Sequence, residues 1–318
     1  ISTTMFQLYL EEIGENSVLL PALDFMKIDK NAEPDMAFIT ENLNQVLAEN
    51  PGKLYYITQG YICRNFYGEI DNLQRGGSDY TASLIGAAIK AEEIQIWTDI
   101  DGLHNNDPRF VKGTQPVRFL NFDEAAELAY FGAKILHPTC ILPAKLNNIP
   151  VRLLDVLEPQ LPGTLISAKS KKSAIQAVAA KDGITAIKIK SGRMLLAYGF
   201  LRKVFEVFES YQTPIDMVTT SGVGVSVTID NTKNLSEIVD NLKKLGSVTV
   251  DEDMVIICVV GDLRPDNFAL QAQAVAALKG IHVRMISYGG SNYNISFLVN
   301  AKDKKPALQA LSDALFNS

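Results

Sequence analysis

The sequence predicts an α/β domain followed by a duplicated α+β module, and two observations carry that prediction. Over the first half, segments of strand length alternate with segments of helical spacing, which implies a mainly parallel sheet covered on both faces. Over the second half, the pattern repeats at an offset of 68 residues, which implies two copies of one small unit. A length of 318 residues allows two or three domains, and a hydrophobic content of 47% supports real cores.

Residues 2–12 have helical character, and 35–49 show it again after Pro34. The run K-L-Y-Y-I-T-Q-G-Y-I over 53–62 reads as a strand that ends near a glycine. Residues 78–91, rich in Ala, Ile and Leu at helical spacing, predict a helix, and E-I-Q-I-W-T over 93–98 a second strand. Residues 123–131 and 138–146 read as helices, and 151–156 as a strand. In such sheets ligands lie beyond the carboxyl ends of the strands. The polar, basic run S-A-K-S-K-K-S over 167–173 suits a solvated linker better than a phosphate patch, so the domain boundary is placed at 167/168.

The repeat then pairs Phe200 with Phe268, Val207 with Val275, Met217 with Met285, Val218 with Ile286, Val227 with Ile295 and Ile229 with Phe297. Upstream, Ile187 pairs with Val255 and Ile189 with Ile257, and no gap is needed. Each unit reads strand, helix, strand, turn, strand, helix, strand. In the first these fall at 184–190, 200–211, 215–219, 223–229, 235–245 and 248–250. Two adjacent copies of this kind form a module rather than an enzyme core.

Composition removes several function classes. A net charge of -6 lacks the footprint of a general nucleic-acid binder. Cys63, Cys140 and Cys258 fit neither a disulfide framework nor a metal site, so a reducing cytoplasm is the simple reading. No apolar run reaches the ~20 residues that span a bilayer. The chain opens with Ile1 directly into a helical pattern and is read as a fragment.

The most informative segment is L-Q-R-G-G-S-D-Y-T-A, residues 73–82, leading into a helix. Gly76 and Gly77 let backbone approach a ligand. The helix N-terminus offers unpaired N–H groups to an anion, and Arg75 offers a planar fork. Ser78 suits the N-cap and Asp79 the first turn. On these residues alone a well-capped helix after a turn explains the pattern equally well. The predicted strand 93–98 runs into T-D-I-D-G-L-H-N-N-D-P-R over 98–109, a loop well placed for a nucleotide, with Arg109 the candidate phosphate contact. Asp101-Gly102 and Asp107-Pro108 read better as turn formers. In F-G-A-K-I-L-H-P, 131–138, Lys134 stands between two helices. It suits either transferring phosphate oxygens or a helix C-terminus.

In this order and spacing, I-T-Q-G-Y-I, L-Q-R-G-G-S-D-Y-T-A, W-T-D-I-D-G-L, D-P-R and F-G-A-K-I-L-H-P resemble the aspartokinases, members of the amino-acid kinase superfamily. The resemblance implies an incomplete three-layer αβα sandwich followed by tandem ferredoxin-like ACT domains. It implies phosphorylation of the side-chain carboxylate of L-aspartate by ATP with Mg²⁺, giving 4-phospho-L-aspartate, which leads to lysine, threonine and methionine. Tyr61, Arg75, Gly76 and Ser78 would then bind aspartate. Asp79 and Lys134 would be the catalytic pair, with Asp79 organising lysines rather than abstracting a proton. Thr98, Asp99, His104, Arg109, Lys134 and Ile135 would meet the nucleotide. His104 stands where the family often has Tyr. The family's K-F-G-G-T-S segment and a Gly-Glu pair are missing from this sequence. The whole protein is therefore expected to be a kinase and this chain by itself inactive.

By the same resemblance, Met194, Gly199, Phe200, Leu201, Asp216, Ser221 and Val223 would hold an amino-acid effector in the first ACT module. Gly199 allows close approach, and Asp216 could meet a cationic side chain, which favours lysine over threonine. Gly222 stands where some relatives carry an acid. The stretch 285–290 in the second copy reads as structural. The family's interleaving assigns 184–190 to the second module, so the first covers about 192–270 and the second about 176–191 plus 271–318. A homodimer through the ACT modules, or a tetramer, is expected. The competing reading is a non-catalytic amino-acid sensor built on a kinase remnant. The ACT pair argues against a glutamate or uridylate kinase, and a single-function enzyme without a homoserine dehydrogenase domain is expected unless the C-terminus is also cut.

Overall fold

The computed structural model describes residues 1–74, 76–132, 137–169, 175–192 and 198–316. The chain divides into two compact units. One comprises Ile1–Leu103, Pro116–Tyr130 and Lys134–Ser170, the other His104–Gln115, Phe131–Ala133 and Lys171–Ser318.

The first unit is mixed α/β. Its elements are α1 (Ser2–Glu12), β1 (Ser17–Leu20), α2 (Met36–Glu49), β2 (Tyr55–Thr58), β3 (Ile62–Arg64), β4 (Ile70–Asn72), α3 (Gly77–Ile89), β5 (Ile94–Thr98), β6 (Phe119–Asn121), α4 (Phe122–Tyr130), α5 (Pro138–Leu146), β7 (Val151–Asp155) and β8 (Thr164–Ser167). Strand β1 lies parallel to β2, while β5, β7, β8 and β6 form a second sheet in that order. In it only β7 and β8 run antiparallel. Helix α2 starts where Asp35 accepts a hydrogen bond from the Phe38 N–H at 3.1 Å, an ordinary N-cap. It lays Ile39 and Leu43 against Phe25, Met26 and Leu84.

The expected strand over 53–62 is corrected: β2 stops at Thr58, and the chain turns before β3. The cause is Tyr61, whose φ of +75° no strand accepts. Its N–H donates to the Thr81 hydroxyl of α3 at 3.0 Å. Strands β1, β4, β6 and β8, with three or four residues each, are too short to carry a readable period.

The second unit holds β9 (Ile175–Lys190), α6 (Phe200–Ser210), β10 (Val218–Ser221), β11 (Gly224–Ile229), α7 (Leu235–Lys243), β12 (Ser247–Gly261), α8 (Phe268–Ala277), β13 (Met285–Tyr288), β14 (Asn294–Asn300) and α9 (Lys304–Phe316). Among the described residues its strands make one antiparallel sheet, ordered β10-β11-β9-β12-β14-β13. Strands β9 and β12 run through both copies of the repeat. The far end of β9 pairs with β11, Ile187 opposite Val227, and its near end with late β12, Val178 opposite Val259.

This corrects the expected interleaving. Ile187 and Ile189 share a core with Phe200, Val204, Phe208 and Ile238, so 184–190 belongs to the first copy. The near end of β9 crosses over: Val178 packs with Ile257, Phe297 and Leu308 of the second. The segment His104–Gln115, expected within the first domain, also belongs here. Val111 is buried in the second core, and the Asn105 carbonyl accepts from the Val178 N–H at 2.8 Å. No described helix is long and apolar enough to cross a membrane.

Candidate functional site

Three glycines bring three segments together at the start of α3. A Cβ on Gly76 would lie 2.5 Å from the His137 Cβ, and one on Gly77 2.7 Å from the Tyr61 ring. On Gly60 it would lie 2.9 Å from the Ser78 Cβ. The turn before β3 and the first turns of α3 and α5 therefore approach to distances that only glycine permits. Gly76 is the N-cap, left-handed at φ 74°, ψ 13°. The expectation of Ser78 as N-cap is corrected, because the helix already begins at Gly77 and Ser78 sits exposed in its first turn.

Tyr61 is held in its strained conformation by several bonds. Its N–H reaches Thr81, its carbonyl accepts from the Leu73 N–H at 2.8 Å, and the Thr81 hydroxyl donates to the Gly77 carbonyl at 2.7 Å. A non-glycine residue at positive φ costs roughly 1–3 kcal/mol and persists where its surroundings over-determine it, often at ligand sites. The Tyr61 ring stays half exposed beside the glycines.

His137 is the N-cap of α5, with Pro138 pre-set at the first helical position. Its Nδ1 lies 2.8 Å from the Thr139 hydroxyl. Two helix N-termini thus meet at Gly76 and His137, each with a positive dipole end, although α5 brings fewer donors because Pro138 has no N–H and the Cys140 N–H donates to the His137 carbonyl. Asp79 stands in the first turn of α3. Burial pushes its carboxyl up from the ordinary value, and the nearby His137 pulls it part of the way back. Cys140, in the first turn of α5, is buried, and that burial, with the charge of Asp79, pushes its thiol up to about 12. The arrangement suits a small anion at the two helix ends, with one partly buried carboxylate in the same wall.

Thr98 and Asp99 end β5, where the Thr98 hydroxyl donates to Asp99 at 3.1 Å. This is the carboxyl end of the parallel pair β5 and β7, with Thr98 in register with Asp155. Gly102 takes φ +109° and packs on Thr164, so Asp101-Gly102 acts as a turn. His104 and Arg109 belong to the second unit. His104 Nδ1 lies 3.0 Å from the Thr114 hydroxyl. Arg109 forks onto Asp107 at 2.9 and 2.6 Å, and its N–H also donates to that carboxylate at 2.9 Å. Arg75, Lys134, Ile135 and Met194 lie outside the described residues.

In the second unit, Gly199 is the left-handed N-cap of α6, with nothing among the described residues within 4 Å of an added Cβ. Phe200 turns into the first core, whereas Leu201 stays partly exposed. Ser221 and Val223 meet at the tight turn between β10 and β11, where the Val223 carbonyl accepts from the Ser191 N–H at 3.0 Å. Asp216 is buried and ion-paired with Lys181 at 2.6 Å.

Sequence reasoning missed His137, Thr81 and Lys181. The His-Pro pair opening a helix was a usable signal for the first, and Thr81 lies one turn into α3. Nothing local ties Lys181 to Asp216.

A family model described as the amino acid kinase family matches residues 1–155, and an ACT domain model matches 257–315. Aspartokinase 1, chloroplastic, of Arabidopsis thaliana is 36% identical over 338 residues, covering 100% of this chain and 59% of the relative. Lysine-sensitive aspartokinase 3 of Escherichia coli is 33% identical over 324 residues, covering 97% and 72%. The chain thus spans about three fifths of the length of its plant relatives. The crystal structure of E. coli aspartokinase III with aspartate and ADP superposes with a TM-score of 0.88 at 33% identity, covering 99% of this chain and 73% of that one. Its complex with lysine and aspartate gives 0.81 at the same identity and coverage.

Proposed function

This chain belongs to the aspartokinase family, and on that premise we propose that the whole protein transfers the γ-phosphoryl group of ATP to the side-chain carboxylate of L-aspartate. The observation that carries the proposal is the meeting of two helix N-termini at Gly76 and His137, with Asp79 in the wall. A dicarboxylate suits such a place, since backbone N–H groups and dipole ends favour negative charge. Tyr61, Gly76, Ser78 and Arg75 bind aspartate in this reading. A side-chain carboxylate oxygen attacks the γ-phosphorus, the bond from that phosphorus to the β–γ bridging oxygen breaks, and ADP leaves. The nucleophile carries no proton near neutral pH, so Asp79 organises charge instead of acting as a base. Thr98, Asp99, Lys134 and Ile135 serve the nucleotide, and Lys134 offsets charge on the transferring group. Mg²⁺ enters on the ATP phosphates; among the described residues no cluster of three or more His, Cys, Asp or Glu side chains could hold a metal.

Lysine is the proposed effector, and the first ACT copy its site. The E. coli relative is named lysine-sensitive, and its homologous structure holds lysine. The proposal includes a homodimer through the ACT modules and a place at the head of lysine, threonine and methionine synthesis. A cytoplasmic setting suits the three buried cysteines, none of which is in a disulfide.

The test is formation of an acyl phosphate by the whole protein, trapped with hydroxylamine. Aspartate with ATP should give the hydroxamate, and glutamate should not. A folded protein that makes no hydroxamate would instead favour the non-catalytic sensor.

A further inference from the structure

We propose that Lys181 is a resident ammonium in the effector site, so that a cationic effector binds by displacing it from Asp216. The inference rests on the reading of the first ACT copy as a lysine site and adds what fills that site beforehand.

Lys181 lies on β9, just before the strand passes from one copy to the other. Its Nζ is 2.6 Å from an Asp216 oxygen and 2.9 Å from an Asp230 oxygen. The Asp216 side chain is 2% exposed and that of Lys181 18%. Asp216 is fixed from behind, because its N–H donates to the Thr228 carbonyl at 2.9 Å, and the next N–H, of Met217, reaches the Thr228 hydroxyl. A carboxylate so placed recognises a primary ammonium, and in this structure the ammonium is the protein's own.

The repeat isolates the feature. The offset of 68 residues sets Asp216 against Arg284, which pairs with Asp251 of β12 at 2.7 Å. Both copies tie a residue one or two positions before their edge strand to a residue near the crossing of a shared strand, with the charges reversed. At this position the first copy can therefore accept a cationic tail and the second cannot, and the ligand class is an α-amino acid bearing a terminal ammonium.

The same turn is also held from the other side. Asp182, next to Lys181, pairs with Lys304 at the start of α9 at 2.7 Å, and Gly183 follows at φ +73°. Adjacent residues of one strand thus fasten it to the first copy through Lys181 and to the second through Lys304. An effector ammonium on Asp216 would leave Lys181 held to the first copy by Asp230 alone, with the second fastening intact. Occupancy by Lys181 also lowers the apparent affinity for the effector, because only the displaced fraction is competent to bind.

The experiment follows thermal melting of the whole protein against lysine and threonine, for wild type, Lys181→Met and Lys181→Arg. Lysine should raise the wild-type melting temperature and threonine should not. Lys181→Met should melt lower without ligand, since Asp216 loses its counterion, and should reach half its lysine response at about tenfold less lysine, the scale of one modest ion pair. Lys181→Arg, whose fork grips both carboxylates, should need several-fold more lysine than wild type. Butylammonium should raise the melting temperature of Lys181→Ala and leave wild type unmoved. A wild type that responds to lysine, with both Met and Arg variants responding at the wild-type concentration, would overturn the displacement. A wild type that lysine does not move would overturn the effector reading, and this inference with it.

Discussion

Helices α3 and α6 begin in almost the same way and face opposite surroundings. Each starts on a left-handed glycine, Gly76 at φ 74°, ψ 13° and Gly199 at φ 80°, ψ 12°. An added Cβ would strike His137 at Gly76 and, among the described residues, meet nothing within 4 Å at Gly199. One backbone device therefore stands in two kinds of surroundings, and the proposed function places a site at each. Where a second helix end closes against the glycine, the site is walled before any ligand arrives. Where nothing closes against it, the helix end stays open to a ligand or a partner. The first arrangement suits chemistry, which needs fixed geometry, and the second suits regulation, in which binding selects among arrangements.

The largest effect expected from this contrast is at Gly76. Gly76→Ala combines left-handed strain of roughly 1–3 kcal/mol with an overlap on His137 that must move α5. Hydroxamate formation should fall by at least ~10², the scale for losing a preorganised electrostatic element, and the melting temperature should drop. An active Gly76→Ala protein would break the comparison at its first term. Gly199→Ala should be milder, with strain of about 1–2 kcal/mol and no steric clash. Activity without effector should survive while the lysine response weakens. Equal losses of activity at both glycines would show that the surroundings do not matter.

The smallest effect is a pH dependence. The Asp79 carboxyl is raised by burial, against a lowering by His137, so the folded protein holds that proton more tightly than the unfolded chain. Its contribution to stability is present below the ordinary carboxylate range and is lost as pH rises through the raised value. Urea melts from about pH 4 upward should show wild type losing stability relative to Asp79→Asn. Parallel curves would remove the burial argument.

Much of this was legible locally. The helix over 138–146 matches α5 because Pro138 marks its start and the apolar spacing its length. The glycine pair, Ser78 and Asp79 read equally well as a ligand turn or as a helix start after a turn, and α3 does begin there. What failed was set by contacts distant in sequence. Tyr61 bends out of a strand pattern because Thr81, 20 residues on, takes its N–H. Only 184–190 of β9 read as a strand, whereas pairing with β12 carries it back through Lys181-Asp182-Gly183 to Ile175. Asp216 read as waiting for a cation because Lys181, 35 residues away, left no local sign of its pairing. Arg109 read as a phosphate contact and Asp107 as a turn former, and the structure joins the two.

The most direct test of the central claim is the turnover of Asp79→Asn in the whole protein, measured beside its melting temperature on the same preparation. The substitution keeps the shape of the side chain and removes its charge. The account predicts that aspartyl hydroxamate formation falls by at least ~10² while the melting temperature at neutral pH stays level or rises. Near-normal turnover in a well-folded variant would contradict it and take Asp79 out of the catalytic wall.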